Sequence, residues 1–189
     1  HSFNVSTFTA RTITSSLSDI HGAITGAIAS LKGPLHGGAN EEVMHMMNKI
    51  KKPENALKWI NNALSKKEVV MGFGHRVYKS GDSRVPTMEK YFKNVSRIKS
   101  DKKFIKIYNI VKKVMIDKKN IHPNVDYPTG PTYHLMGFDT DFFTPIFVTS
   151  RITGWSAHIM EQHAANKLIR PLSKYSGQKH RKVMLLNQR

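Results

Sequence analysis

Along most of the chain apolar residues recur at intervals of three and four, the spacing that lines one face of an α-helix. From Asn4 to Leu31 the sequence is rich in Ala, Ser, Thr and Ile without a proline, which predicts one or two tightly packed helices. Gly22 and Gly26 share one helical face there, a spacing that lets another backbone come close. Lys32-Gly33-Pro34 stops the pattern, and it resumes from Glu41 to Ile50. A proline start with Glu54 in the first turn predicts a short helix over Pro53 to Leu64. Val85 to Ile98 and Lys103 to Lys118 read as two surface helices, the second carrying Phe104, Ile107, Tyr108, Val111 and Met115 at helical intervals. A final helix is expected from Thr144 or Pro145 through Leu168, with Phe147, Ile152, Trp155, Ile159 and Met160 as core candidates. Val69-Val70-Met71 is the single strand-like run. Asn120 to Pro131, with three prolines and a glycine, predicts an irregular backbone. The fold class is therefore all-α, with glycine- and proline-rich breaks.

Composition narrows the partners. Thirty Lys and Arg against 13 Asp and Glu give a net charge of +17, a field that attracts nucleic acid, acidic lipid or a phosphorylated small molecule alike. A basic nucleic-acid-binding module is thus one reading. It would need stacking aromatics among its cations, whereas Trp59 and Trp155 sit in apolar helical patterns. The lysine runs alternate with apolar residues, as on solvated helix faces. With no cysteine, disulfides and thiolate zinc sites are excluded. No metal site is expected: His158 and His163 stand five residues apart, which points their rings to different faces, and His45, His122, His134 and His180 follow no ligand pattern. No run approaches the ~20 apolar residues of a membrane helix. Without a signal-peptide pattern at its start, the chain is expected in the cytoplasm or the mitochondrial matrix and not secreted. The sequence opens on His1 rather than Met and runs at once into a helical pattern, so an amino-terminal half is expected to be missing.

The candidate chemistry lies at the breaks, which hold His36, His75, Arg84 and Asp126. In Gly72 to Arg84 two glycines free the backbone, His75 follows, and Arg76, Lys79 and Arg84 arrive within nine residues, a composition suited to an anionic ligand bearing a carbonyl or hydroxyl. A carboxylate can remove a proton beside a carbonyl, and imidazoles can stabilise the oxygen charge that develops. Arg151 lies within an apolar helical run, where a guanidinium needs an acidic partner or a substrate carboxylate.

Three local sequences go further. Gly33-Pro34-Leu35-His36-Gly37-Gly38-Ala39-Asn40-Glu41, then Gly72-Phe73-Gly74-His75-Arg76-Val77-Tyr78 with Asp82-Ser83-Arg84, and Pro123-Asn124-Val125-Asp126 followed by Gly130 resemble, in order and spacing, the catalytic segments of the citrate synthase family. The likeness continues through Phe142 to Phe147, Arg151 to His158 and Ile169-Arg170-Pro171. The resemblance implies a citrate synthase-like fold, with a small helical domain over residues 37–135 inserted between large-domain segments 1–36 and 136–189. It implies condensation of an acyl-CoA thioester with oxaloacetate, then hydrolysis, with no permanently bound cofactor. By the same resemblance Asp126 is the base, His36 stabilises the thioester oxygen, and His75 polarises the oxaloacetate carbonyl. His1, Arg84, Arg151 and Arg170 would hold oxaloacetate, Arg170 acting across the interface of a homodimer. Gly72, Phe73, Gly74 and Lys79 would meet CoA. Ser2 stands where many members have Glu, and Ser83 where Pro is commoner. Residues 81–88 and 126–133 look more like those of 2-methylcitrate synthases, which prefer propionyl-CoA, than those of strict citrate synthases.

Overall fold

The computed structural model describes residues 3–189. Among them are eight α-helices: α1 (Val5–Ser15), α2 (Ile20–Leu31), α3 (Ala39–Ile50), α4 (Pro53–Ser65), α5 (Val85–Ile98), α6 (Lys103–Lys119), α7 (Asp126–Met136) and α8 (Phe143–Ala164). Several begin on a side chain that accepts the free N–H groups of a first turn. Asn4 Oδ1 accepts from Thr7 N at 3.0 Å, Asp19 Oδ1 from Gly22 N at 2.8 Å, and the Asp101 carboxylate from Phe104 N at 3.1 Å. Asn120 and Gly137 close α6 and α7 in the left-handed conformation, the usual helix stop. No helix among the described residues is long and apolar enough to cross a membrane.

Two apolar cores form. The larger gathers Val43, Met44 and Met47 of α3, Ile60 of α4, Phe92 of α5, Ile107, Tyr108 and Val111 of α6, and Tyr127 of α7. The smaller packs Ala10 of α1, Ala23, Ala27 and Leu31 of α2, and Trp155 and Ile159 of α8. Small residues bring α1 and α2 together, although Gly26 faces the Ile13 side chain of α1 rather than a backbone. Helix α8 serves both cores, with Phe143 at its start in the larger and Trp155 further along in the smaller. Its first turn is held by Glu41 of α3, whose carboxylate accepts from Thr144 N at 3.0 Å and from the Thr144 hydroxyl.

Four expectations change. Val69 to Met71 is not a strand; among the described residues the one β-bridge joins Phe73 to Pro123. The irregular segment ends at Val125, and α7 runs through Pro128, Gly130 and Pro131. Pro128 lies in the first turn, where the missing N–H has no helical partner anyway; Pro131 lies inside the helix, and the Thr129 and Thr132 hydroxyls donate to the carbonyls of Val125 and Pro128. Helix α8 stops at Ala164, not Leu168, because the following chain docks on the end of α1: Asn166 donates to the Ser15 carbonyl, and Ile169 N to Ser15 Oγ, both at 3.0 Å. Ile152 and Met160 are exposed; at 3.6 residues per turn they stand about 60° and about 140° round the helix from Trp155.

Helices α3 and α7 cross closely because Gly130 has no side chain; a Cβ there would lie 2.7 Å from the Asn40 carbonyl oxygen. That atom is main chain in the first turn of α3 and cannot step aside. Gly130→Ala should therefore destabilise the protein by about 1–3 kcal/mol, the usual cost of overpacking, read as a lower urea midpoint with an unchanged slope. An unchanged midpoint would show that the two helices separate freely.

Candidate active site

A cavity of about 490 Å³ lies where the two cores meet. Its lining includes Asn4, His36, Gly72, Phe73, Gly74, His75, Tyr78, Arg84, Asp126, Phe147 and Arg151. The structure therefore brings together eight residues picked out by sequence, drawn from four separated segments. A depression of about 590 Å³ between α5 and α6 contains none of them, although Asp82 lines it, and its Lys93 and Lys112 are already paired with Glu89.

The loop bearing His75 is fastened to the segment that leads into Asp126. Gly74 N donates to the His122 carbonyl and Asn124 N to the Gly72 carbonyl, each at 2.9 Å. The Asn124 side chain adds two contacts, its Nδ2 donating to the Gly74 carbonyl at 2.9 Å and its Oδ1 accepting from Asp126 N at 3.0 Å. Gly72 takes φ +84°, and a Cβ there would lie 2.8 Å from Tyr127 Cβ. Its glycine is thus needed by the backbone and by packing on α7.

Both imidazoles are neutral, with opposite tautomers. His75 Nδ1 accepts from the main-chain N–H groups of Val77 (3.0 Å) and Tyr78 (3.3 Å), so the ring proton sits on Nε2. His36 Nε2 accepts from Ser6 N at 3.3 Å, so its proton sits on Nδ1. Burial, reinforced by the Arg151 charge, lowers the pKa of His36. Burial with Arg84 and Lys79 lowers that of His75, against the opposing pull of Asp82. Each ring thus offers one N–H donor and resists protonation.

Asp126 is the first residue of α7. Burial pushes its carboxyl up to about 7, with Asp82 adding to the rise and Arg84 opposing it. A carboxyl that titrates near neutrality is a competent general base.

The two arginines differ. Arg84 is held by Asp82 through a forked pair, Nε to Oδ1 at 2.9 Å and Nη2 to Oδ2 at 2.7 Å. Arg151 has no acidic partner within ion-pair distance among the described residues; it lies over the Phe147 ring at 4.9 Å, and its Nη1 is buried without a hydrogen-bond partner. Burial first, then the Arg84 charge, disfavours its charged form. Of the two openings left by the sequence, an internal acid or a ligand carboxylate, the internal acid is not found among the described residues.

Lys79 and Arg170 lie apart. Lys79 is exposed on the outside of the His75 loop, its Nζ donating to the His75 carbonyl at 3.3 Å. Arg170 is exposed in the extended segment after α8 and does not line the cavity. His1 lies outside the described residues. Sequence reasoning missed Asp82, which besides holding Arg84 accepts from Val125 N at 3.1 Å and so ties that arginine to the backbone beside Asp126. Its signal was the Asp-x-Arg spacing, which suits a forked pair. Ser6, behind His36, had no local signal.

Residues 1–172 match the family model described as citrate synthase, C-terminal domain. The chain is 58% identical over 189 residues to 2-methylcitrate synthase 2 of Corynebacterium glutamicum, covering all of this chain and 49% of that protein. It is 57% identical over 184 residues to a citrate synthase of Mycolicibacterium smegmatis, covering 97% of this chain and 49% of that one. Among solved structures, citrate synthase from Thermoplasma acidophilum in a ternary complex with carboxymethyl coenzyme A and oxaloacetate superposes with a TM-score of 0.91 at 37% identity, covering 100% of this chain and 52% of that one. The Thermotoga maritima citrate synthase superposes with a TM-score of 0.90, also at 37% identity and over 100% and 52% of the two chains. The chain spans about half the length of the relatives it matches.

The raised Asp126 carboxyl carries a stability cost with a definite sign. The folded state holds a proton that the unfolded chain releases between about 3.8 and about 7, so this group lowers stability as pH rises through that window. Asp126→Asn should stabilise the protein by about 1–3 kcal/mol at pH ~8, under a ceiling on the order of 4 kcal/mol at 1.36 kcal/mol per pKa unit. The gain should shrink as pH falls toward ~4. Urea unfolding of both proteins across that range is the check, and a pH-independent difference would mean that the carboxyl titrates normally.

Proposed function

The chain belongs to the citrate synthase family, and on that premise we propose that it carries the catalytic groups of an acyltransferase that condenses an acyl-CoA with oxaloacetate and hydrolyses the new thioester. The observation that carries this reading is the cavity itself, where a carboxyl raised to about 7 and two neutral imidazoles of opposite tautomer face an arginine with no acidic partner among the described residues.

In this reading Arg84 and Arg151 take the carboxylates of oxaloacetate, the planar guanidinium forks matching them better than lysine would. His75 Nε2–H hydrogen-bonds its keto oxygen. The acyl-CoA thioester lies with its carbonyl oxygen on His36 Nδ1–H. The Asp126 carboxylate removes a proton from the carbon next to that carbonyl, and the charge moving onto oxygen meets the His36 donor. The carbon then attacks the keto carbon of oxaloacetate, whose oxygen takes the proton from His75. Water cleaves the thioester and releases CoA. Anion binding at Arg151 would also relieve the cost of its buried, unpaired guanidinium.

For CoA, we propose the Gly72-Phe73-Gly74 backbone along the cavity and Lys79 at its outer rim. The bound oxaloacetate and carboxymethyl coenzyme A named for the Thermoplasma structure support both substrates by similarity. We propose the division into a small domain (37–135) and large-domain segments (1–36 and 136–189), supported by the two cores, whose buried residues follow it except for Phe143, which packs in the larger. The exposed position of Arg170 is what a homodimer requires if this arginine completes the site of a second copy.

Incubating the protein with oxaloacetate and either acetyl-CoA or propionyl-CoA should release CoA with both, and faster with propionyl-CoA; one methylene separates them by only ~1–3 kcal/mol. No release with either thioester would defeat the assignment, and a clear acetyl-CoA preference would make the protein a strict citrate synthase. Asp126→Ala should lower kcat at least about 10³-fold with oxaloacetate binding nearly intact. Arg151→Gln should instead raise the KM for oxaloacetate about 10- to 100-fold, as loss of a charge-assisted contact worth about 1.5–3 kcal/mol implies. Equal effects of the two changes on KM would refute the division of roles.

A further inference from the structure

We propose that Trp155 is a positioning residue for His36, acting through the Ser6 hydroxyl to hold the imidazole in the tautomer that presents Nδ1–H to the cavity. The catalytic consequence rests on the role proposed for His36 above; the tautomer does not.

Trp155 is fully buried in the smaller core, and its indole N–H can only donate. Its partner is Ser6 Oγ at 3.3 Å. The Ser6 hydroxyl has a single proton, and two acceptors stand within reach: His36 Nε2 at 2.9 Å and Asn4 Oδ1 at 2.8 Å. Asn4 Oδ1 already accepts from Thr7 N at 3.0 Å. If Ser6 gave its proton to Asn4, the Oγ and Nε2 lone pairs would confront each other at 2.9 Å, since Nε2 is already fixed as an acceptor by Ser6 N. Donation to His36 removes that conflict. The bonds then run one way, indole to hydroxyl to imidazole, each polarising the next.

A main-chain N–H alone, at 3.3 Å, is a long restraint on a ring that can rotate. The hydroxyl, oriented from behind by the indole, is the shorter contact. Arg151 stands one helical turn before Trp155 on α8, so the same helix supplies the anion-binding guanidinium and the donor that orients His36.

The direct test is the indole signal. In a Trp59→Phe background, Trp155 gives the sole indole ¹H–¹⁵N peak, which is followed from pH ~8 to ~5. Its shift should track His36, whose charged neighbour is Arg151, with a midpoint below 6.5, and should vanish in Ser6→Ala. His158, Glu161 and Arg11 also stand near α8 and form their own cluster; a shift driven by them would survive Ser6→Ala and overturn the proposal. Long-range ¹⁵N imidazole spectra should show His36 protonated at Nδ1, with mixed tautomers in Trp155→Phe and Ser6→Ala and restoration in Ser6→Thr. An unchanged tautomer in Ser6→Ala, which leaves no cavity to unfold the protein, would overturn it too. In turnover, each single change should lower kcat about 10-fold at unchanged oxaloacetate KM. The double change should be no worse than either alone, because both break one chain; additive losses would make Trp155 merely structural. A tautomer shift in a protein that releases no CoA at all would uphold the relay and refute the proposed reaction.

Discussion

Two main-chain hydrogen bonds between residues 72–74 and 122–124 are the constraint on which the site depends. They join segments about fifty residues apart, and each segment delivers a chemically active side chain on its far side, His75 in one case and Asp126 in the other. A bridge this short would not survive alone in water. It is buttressed by Asn124, which bonds to both segments, and by Phe73, whose ring packs at 4.4 Å on Tyr127, itself stacked at 4.5 Å on Tyr108 of α6. Asp82 adds a third fastening, since one carboxylate grips Arg84 and the N–H of Val125.

Electrostatics inside the cavity runs opposite to the surface. The surface is strongly cationic, yet its lysines are largely solvated or paired with Glu and Asp along the helices. In the cavity, burial outweighs the attraction of Arg84 and leaves Asp126 titrating near neutrality. The same burial lowers the pKa of His36 and His75. Arg84 has its countercharge built in, whereas Arg151 has no acidic partner within ion-pair distance among the described residues and lies against the Phe147 ring face. That asymmetry sets a guanidinium anchored to the framework by Asp82 beside one that the proposed function pairs with a substrate carboxylate.

The position of the cavity between two cores matters to its chemistry. His36 sits in the turn that links α2 of the smaller core to α3 of the larger, and α8 crosses from one to the other. The Glu41 carboxylate at the start of α8 fixes that crossing. A small change in how the cores meet would move His36 and Arg151 relative to His75 and Asp126, because the first pair travels with the smaller core and the second with the larger.

Helix periods were legible in the sequence because burial acts on every third or fourth residue, and α3 to α6 follow the predicted limits within two residues. The resemblance of three short segments also singled out His36, His75, Arg84 and Asp126, and the likeness that continues through Arg151 to His158 singled out Arg151. Helix α7 was hidden because proline signals a break by default, and only packing against α3 and the threonine hydroxyls make the helix worthwhile. Ile152 and Met160 shared the apolar character of Trp155, yet which part of a helix is covered depends on neighbours distant in sequence. Asp82, Ser6 and Trp155 gained their roles in the same way, through contacts with segments up to 149 residues away. What the sequence by itself determined was the helical class and the chemical inventory. The tautomers, the raised carboxyl and the unpaired arginine were decided by tertiary structure, because each depends on which groups surround a side chain and how much water they exclude.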